Sequence, residues 1–509
     1  NNSWGYGLPV TTSSFNSVFS GTNGQAYLSA LDAYAAQGVV VFAASNDSSA
    51  TNATIMEALP ALRSTLEAGW LAVISAVPEF NDDRILSASL QSAPCADAAR
   101  WCLVADGSWT AATVNLSNLN DTDNYAFTIG TSFAAPMVTG AMALLAEAFP
   151  DLTPHQLRIR LLASADDGFF TPDQTVELAD GFFKGYSSTW GHGFMDLRAA
   201  LAPIGQTRMA LASGATVTTS DPMITSGSGY GDAVSRALAA HRVLVTDDLG
   251  GDFRMPGDAL VARSAVRAVA PKMMAAALSG AGGASDLLSA YAAPRLNLGL
   301  GDGDMRLSVM GNPAAGADAE YGLSVVRGFA LGAARLDVGV SLARDHGTLA
   351  GLTAAGSDLV SLDLGLTAPL GEDGFLRLSG QMGLAQPRGT GAFADVTSSR
   401  FDSLALDIGR TDAFRAGDRL SLSLALPVAM TSGRAALDLP MARSGGDVRF
   451  DRVAFDLAPE ARQMDLSVSY DMPVWRNATL TLGATHAINH GHVAGARDTG
   501  GILALRIRF

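Results

Sequence analysis

The residues with the clearest chemical potential are Gly130-Thr131-Ser132-Phe133-Ala134-Ala135-Pro136. They set a small hydroxyl side chain between a glycine and the apolar run Met137 to Ala146, which reads as a buried helix. Proline lacks an N–H and is tolerated in the first helical turn, so Pro136 predicts a helix starting near Ser132. A serine hydroxyl at that start lies by the positive end of the helix dipole, where a developing oxyanion is favoured. An ordinary serine or threonine helix cap is the plainer alternative. A nucleophilic serine also needs a base, and all seven histidines follow it: His155, His192, His241, His346, His486, His490 and His492.

Such a serine has to be held by a rigid scaffold. Residues 1–205 alternate short apolar strands with helices, which predicts an α/β sheet. Gly38 to Ala44 and Gly69 to Val77 are continuous apolar runs, as buried parallel strands are. Tyr27 to Ala36 carries Leu28, Leu31 and Tyr34 at helical spacing. Thr153-Pro154-His155-Gln156 reads as a capping box opening a helix through Leu157, Leu161 and Leu162. His155 then falls at the solvent end of that box. Cys95 and Cys102, in a loop-like stretch, are expected to form a disulfide, which points to an oxidising compartment or the cell exterior. Free core thiols are the alternative.

Residues 206–290 are rich in Ala, Gly, Ser and Thr and read as a linker with helices near 231–242 and 260–278. From about residue 291 the apolar period becomes two. Leu362, Leu364 and Leu366 alternate with Ser361, Asp363 and Gly365, and similar runs centre on Leu378, Leu424, Leu466 and Leu505. Strands of this kind suit a soluble sandwich with its apolar face inward, or a membrane barrel with that face outward. The Arg, Asp, Gln and Ser of the polar face, and strand lengths near the ~9–11 residues that cross a bilayer, favour the barrel.

A length of 509 residues predicts two or three domains. A net charge of −15 argues against a nucleic-acid partner. No apolar run reaches the ~18 residues of a transmembrane helix. Asp47, Asp82, Asp83, Asp121 and Asp123 are scattered without calcium-site spacing, so no metal and no cofactor are expected. Asp166-Asp167 and Asp247-Asp248 read as solvated pairs.

The heptapeptide around Ser132 closely resembles the nucleophile motif of subtilisin-like (S8 family) serine peptidases, and the resemblance extends in order over most of residues 1–205. It implies acyl transfer to water, with Ser132 as nucleophile. Val40 to Asn46 is similar to the strand leading to the family's oxyanion asparagine, which implies that role for Asn46, although the family usually has Gly-Asn where this chain has Ser45-Asn46. Asn2-Ser3-Trp4-Gly5 resembles the segment whose backbone pairs with an extended peptide substrate, implying substrate binding by Ser3, Trp4 and Gly5. Trp70 to Val77, the loop from Cys95 to Trp101-Cys102, the closing Trp190-Gly191-His192-Gly193-Phe194-Met195-Asp196-Leu197 and the terminal Phe509 resemble the autotransporter branch. That branch implies residues 1–205 as an incomplete peptidase domain, 206–290 as a connector with a pore helix, and 291–509 as an outer-membrane barrel of about twelve antiparallel strands. It also implies protein or peptide substrates, surrounding lipid, dependence on barrel-assembly machinery, and a passenger at the bacterial surface or secreted.

The family orders its triad Asp, His, Ser, and no histidine precedes Ser132. The triad Asp and His are therefore expected upstream of Asn1, and little peptidase activity is expected of these residues alone. Two rivals remain. One is a non-enzymatic barrel-anchored passenger, an adhesin or pore. The other is a surface esterase using Ser132 with His192, in the Ser…Asp…His order of α/β-hydrolases.

Overall fold

A computed structural model of the chain describes residues 1–82, 84–113, 124–279, 287–291, 295–301, 304–311 and 319–507. Phe509, Asp83, Asp121 and Asp123 lie outside them. The chain divides into two compact units: Asn1–Met209 with Val245–Phe253 and Arg443–Asp447, and Ala210–Leu244 with Arg254–Ala442 and Val448–Phe509. The stretch read as a linker is thus shared between the two.

In the first unit, α1 (Thr12–Phe19) and α2 (Thr22–Ala35) lead into β1 (Val40–Ala43), followed by β2 (Trp70–Asn81), β3 (Arg84–Leu90) and β4 (Cys102–Ala105). β1 and β4 flank β2 in parallel, with Phe42 opposite Ala72 and Ala72 opposite Cys102. The distal half of β2 folds back antiparallel against β3. β5 (Ser108–Ala112) pairs with β6 (Tyr125–Ile129) just before α3 (Thr131–Ala148). Both faces of the parallel strands are covered, which is why their sequences read as unbroken apolar runs. On one face Val41, Ala43, Leu71, Val73, Leu103 and Ala105 pack on Ala134, Val138, Ala141 and Leu145 of α3. On the other, Phe42, Trp70, Ile74 and Val104 meet Leu28 and Leu31 of α2, with Phe42 and Trp70 stacked at 5.5 Å.

The helix after Gly130 starts at Thr131, as its sequence implied, but Pro136 is its sixth residue rather than part of its first turn. The missing N–H would have bonded the Ser132 carbonyl, one turn back. Pro136 is exposed, so the ring is not forced into the core. α4 (Pro154–Ala163) opens with the expected capping box: Thr153 accepts from Gln156 N and Gln156 Oε1 accepts from Thr153 N. Cys95 and Cys102 are joined by a disulfide, both buried, linking a 3₁₀ turn to the start of β4.

One expectation fails here. Asp247 is not solvated: its carboxylate is buried and paired with the buried Arg160 guanidinium at 2.7 Å. Arg160 also donates to Ala200 O and Ala202 O and lies over the Phe149 and Phe253 rings. Asp247 further accepts N–H bonds from Ile204, Leu249 and Gly251. Its neighbour Asp248 pairs at the surface with Arg208. The pairing of Arg160 with an acid 87 residues away in sequence leaves no local signal.

The second unit is dominated by an eleven-stranded antiparallel sheet. After the β7–β8 hairpin of the first unit (Gln174–Ala179, Phe182–Tyr186), its strands are β9 (Arg295–Leu300), β10 (Met305–Gly311), β11 (Tyr321–Leu331), β12 (Ala334–Asp345), β13 (Ser357–Leu370), β14 (Gly374–Pro387), β15 (Ser399–Thr411), β16 (Arg419–Ser432), β17 (Met464–Trp475), β18 (Ala478–Ile488) and β19 (Arg497–Ile507). Each pairs with the next. Among the described residues no pairing joins β9 to β19, so the expected closed barrel of about twelve strands is not seen as such. Three further strands, Asp395–Val396, Arg434–Ser444 and Asp447–Asp456, form a separate small sheet.

The two faces of the large sheet are inverted relative to a soluble protein. Leu362 and Leu364 are 42% and 46% exposed, whereas Ser341 and Ser361 are 0% and 2% exposed. Cross-strand neighbours continue the outward apolar rows, with Leu362 opposite Val340 and Met382. On the inner face Ser341 and Ser361 donate to Asp363. α5 (Leu197–Leu201) belongs to the first unit; in the second, α6 (Ala233–Ala239) and α7 (Val269–Ser279) follow, so the second expected helix begins later than residue 260. α7 lies on the inner face: Val269 N donates to Asp498 Oδ2 at 2.8 Å. Gly483 and Gly500 permit that approach, because a Cβ at either would come within 2.8 Å of α7 side chains. No helix among the described residues is long and apolar enough to cross a membrane.

Candidate active site

The carboxyl ends of β1 and β4 meet the start of α3. Gly130 N donates to Gly107 O, just beyond β4, at 3.1 Å. Asn46, three residues beyond the end of β1, has its amide oxygen bonded by Thr131 N at 2.9 Å. The buried Thr131 hydroxyl donates to Ala44 O at 2.7 Å. Thr131 therefore pins the Asn46 loop to the helix that bears Ser132.

With its oxygen so engaged, the Asn46 amide keeps its N–H₂ group for other acceptors. The first four N–H groups of a helix lack intrahelical partners. Here Thr131 N is used by Asn46, and Phe133 N and Ala134 N reach Gly130 O. Among the described residues, Ser132 N and Asn46 Nδ2 are left without a protein acceptor. Donors of this kind at a helix N-terminus, beside an exposed hydroxyl, are chemically able to stabilise a tetrahedral oxyanion. The sequence reading named Asn46 but missed the Ser132 main-chain N–H and the bracing by Thr131; only the buried threonine before the serine hinted at the latter. Ser45, where glycine was the expected type, does not have positive φ, and its hydroxyl accepts from Asp47 N.

Ser3 stands next to Ser132, its hydroxyl hydrogen-bonded to the Ser132 hydroxyl. Asn2 pairs with β1 through Asn2 N to Val41 O and Ala43 N to Asn2 O. Ser3, Trp4 and Gly5 make no main-chain hydrogen bond among the described residues, so their backbone groups are open to an extended chain. Trp4 packs against Tyr6, Tyr27 and Phe42.

Both histidines of this unit have a ring nitrogen on a main-chain carbonyl. His155 is half-buried and bonds Ala35 O at 2.7 Å, so it is less solvent-facing than its place in the capping box implied. His192 is fully buried, stacked on Tyr186, with Nε2 on Arg100 O at 2.9 Å. Burial holds it down at about 4. Its backbone N donates to Cys102 O, at the amino end of β4, whereas the Ser132 helix abuts Gly107 beyond the carboxyl end. At ~3.3 Å per strand residue, β4 alone separates those ends by roughly 10 Å. The Ser132–His192 esterase reading therefore lacks its base. Among the described residues no cluster of His, Cys, Asp and Glu could hold a metal.

Residues 1–193 match the model of the subtilase family, Peptidase_S8. The expected resemblance to subtilisin-like peptidases is borne out over that stretch. Over 165 residues the chain is 31% identical to serotype-specific antigen 1 of Mannheimia haemolytica, covering 32% of this chain and 16% of that protein. Among solved structures, one titled for assembly of the subtilase cytotoxin SubAB is similar at 17% identity and a TM-score of 0.26, covering 36% of this chain and 54% of that one. MycP1 without its N-terminal propeptide is similar at 25% identity and a TM-score of 0.21, covering 32% and 50%. The chain thus spans about half, or much less, of the length of these relatives.

Proposed function

We propose that this chain is part of a surface serine endopeptidase that cleaves peptide bonds by acyl-enzyme chemistry at Ser132. The observation that carries the reading is the pairing of an exposed helix-start hydroxyl with two unclaimed donors, Ser132 N–H and the Asn46 amide, braced through Thr131. An extended peptide would pair with the open backbone of Ser3 to Gly5 and present its carbonyl to Ser132 Oγ. Attack forms the Oγ–C bond while the Oγ proton passes to a base. The C–N bond then breaks as that proton is returned to the leaving amine, and water resolves the acyl-enzyme. The base and its orienting carboxylate are assigned to residues outside this sequence, upstream of Asn1.

The second unit is assigned to a bacterial outer membrane, as an autotransporter barrel installed by barrel-assembly machinery. The outward rows of leucine and valine over a serine- and aspartate-lined inner face support this. α7 against β18 and β19 supports a helix in the pore.

A fluorophosphonate probe tests the chemistry. The 509-residue chain should label weakly, a polypeptide extended upstream should label strongly at Ser132, and Ser132→Ala should abolish labelling. Strong labelling of the shorter chain would overturn the missing base, and labelling that survives Ser132→Ala would overturn the nucleophile.

A further inference from the structure

We propose that Glu57 is a positioning residue that locks the Asn46 loop, and with it the oxyanion donor, against the substrate-binding segment; this rests on the function proposed above. Asn46 opens a largely exposed loop, residues 46–53. Both ends of that loop donate to one carboxylate oxygen: Ser45 N lies 3.4 Å and Thr54 N 2.6 Å from Glu57 Oε1. The Thr54 hydroxyl donates to Oε2. Glu57 itself cannot drift, because it is 2% exposed and its carbonyl accepts the indole N–H groups of Trp70 and Trp101 at 3.2 and 3.1 Å.

The same clamp reaches the opposite wall. Thr54 bridges Pro9, and Ile55 N donates to Leu8 O at 3.0 Å. A Cβ at Gly5 would lie 3.5 Å from Met56 Cγ. One buried carboxylate thus ties the loop bearing the amide donor to the segment that follows Ser3 to Gly5. It does so without a cationic partner among the described residues, and burial pushes its pKa up. Burying such a group is costly. Its donors come from the two residues that flank the loop, Ser45 and Thr54, so what that cost secures is the loop's position.

Kinetics in the complete enzyme, with this chain and its upstream residues, test the role. Glu57→Ala should lower kcat by on the order of 10²-fold, the penalty of a small misplacement, with KM within about twofold. Glu57→Gln should restore most of the loss, since its amide oxygen can still accept the two N–H bonds. In the 509-residue chain, Glu57→Ala should speed hydrogen exchange at Ser45 and Thr54 while β2 stays protected. If Glu57→Ala does not fold, Glu57→Asp decides, because its withdrawn carboxylate should cut kcat at unchanged KM. Unchanged kcat and unchanged exchange would overturn the role of Glu57. Activity that persists in Ser132→Ala would instead overturn the underlying function.

Discussion

His192 illustrates how burial, rather than identity, sets what a residue can do. A histidine after the serine invites a catalytic reading, yet this one is neutral and sealed in the core, with its Nδ1 unpartnered. Desolvation is the main cause of its lowered pKa, with Arg158 and Lys184 pushing the same way and the Arg100 carbonyl and Asp167 opposing. The unfolded chain, near 6.5, takes the proton first as pH falls. Stability is therefore fully present above about 6.5 and is lost down to the folded value of about 4. That window corresponds to about 3 kcal/mol. Denaturant unfolding followed by tryptophan fluorescence at pH 7 and pH 4 should give a difference smaller by about that amount in His192→Phe. The helix start beside Ser132 was legible, because glycine, hydroxyl and helix lie within seven residues. Glu57 was not, because nothing in its neighbourhood along the chain distinguishes a clamp from a surface acid.

Elements were read best where one local pattern decides them. The Thr153 capping box and the apolar runs of β1 and β2 were evident because their hydrogen bonds or burial follow from adjacent residues. The position of Pro136 in α3 was misjudged, since the exposed helix surface tolerates a proline one turn deeper than the pattern implied. The fastening of α4 was hidden, since Arg160 meets Asp247 only after folding. Removing one partner of a buried pair leaves an uncompensated charge and costs about 3–5 kcal/mol. Asp247→Ala should therefore lower the unfolding free energy of the first unit by about that amount, read by denaturant titration. A loss below about 1 kcal/mol would show that water reaches the guanidinium.

On the scale of the whole molecule, the chain disposes its apolar residues in two ways. Residues 1–205 bury their apolar runs on both faces of a sheet, whereas the later strands turn theirs outward. The period of two was legible because alternate side chains of a strand fall on opposite faces, but it could not say whether the first and last strands meet. Under the proposed membrane setting Leu364 faces lipid at mid-strand, where arginine costs about 2–4 kcal/mol. Leu364→Arg should weaken folding into lipid vesicles by that amount, measured by urea titration, while Thr367→Arg, at a half-buried position on the inner face, should perturb insertion much less. Equal effects would argue against a bilayer around this sheet. The strict two-residue alternation has a further consequence. Deleting a single residue between Leu362 and Leu366 would reverse the facing of everything beyond it in that strand. Leucines would be driven onto the face lined by serine and aspartate and serines onto the leucine face, a frame error that no point substitution could imitate.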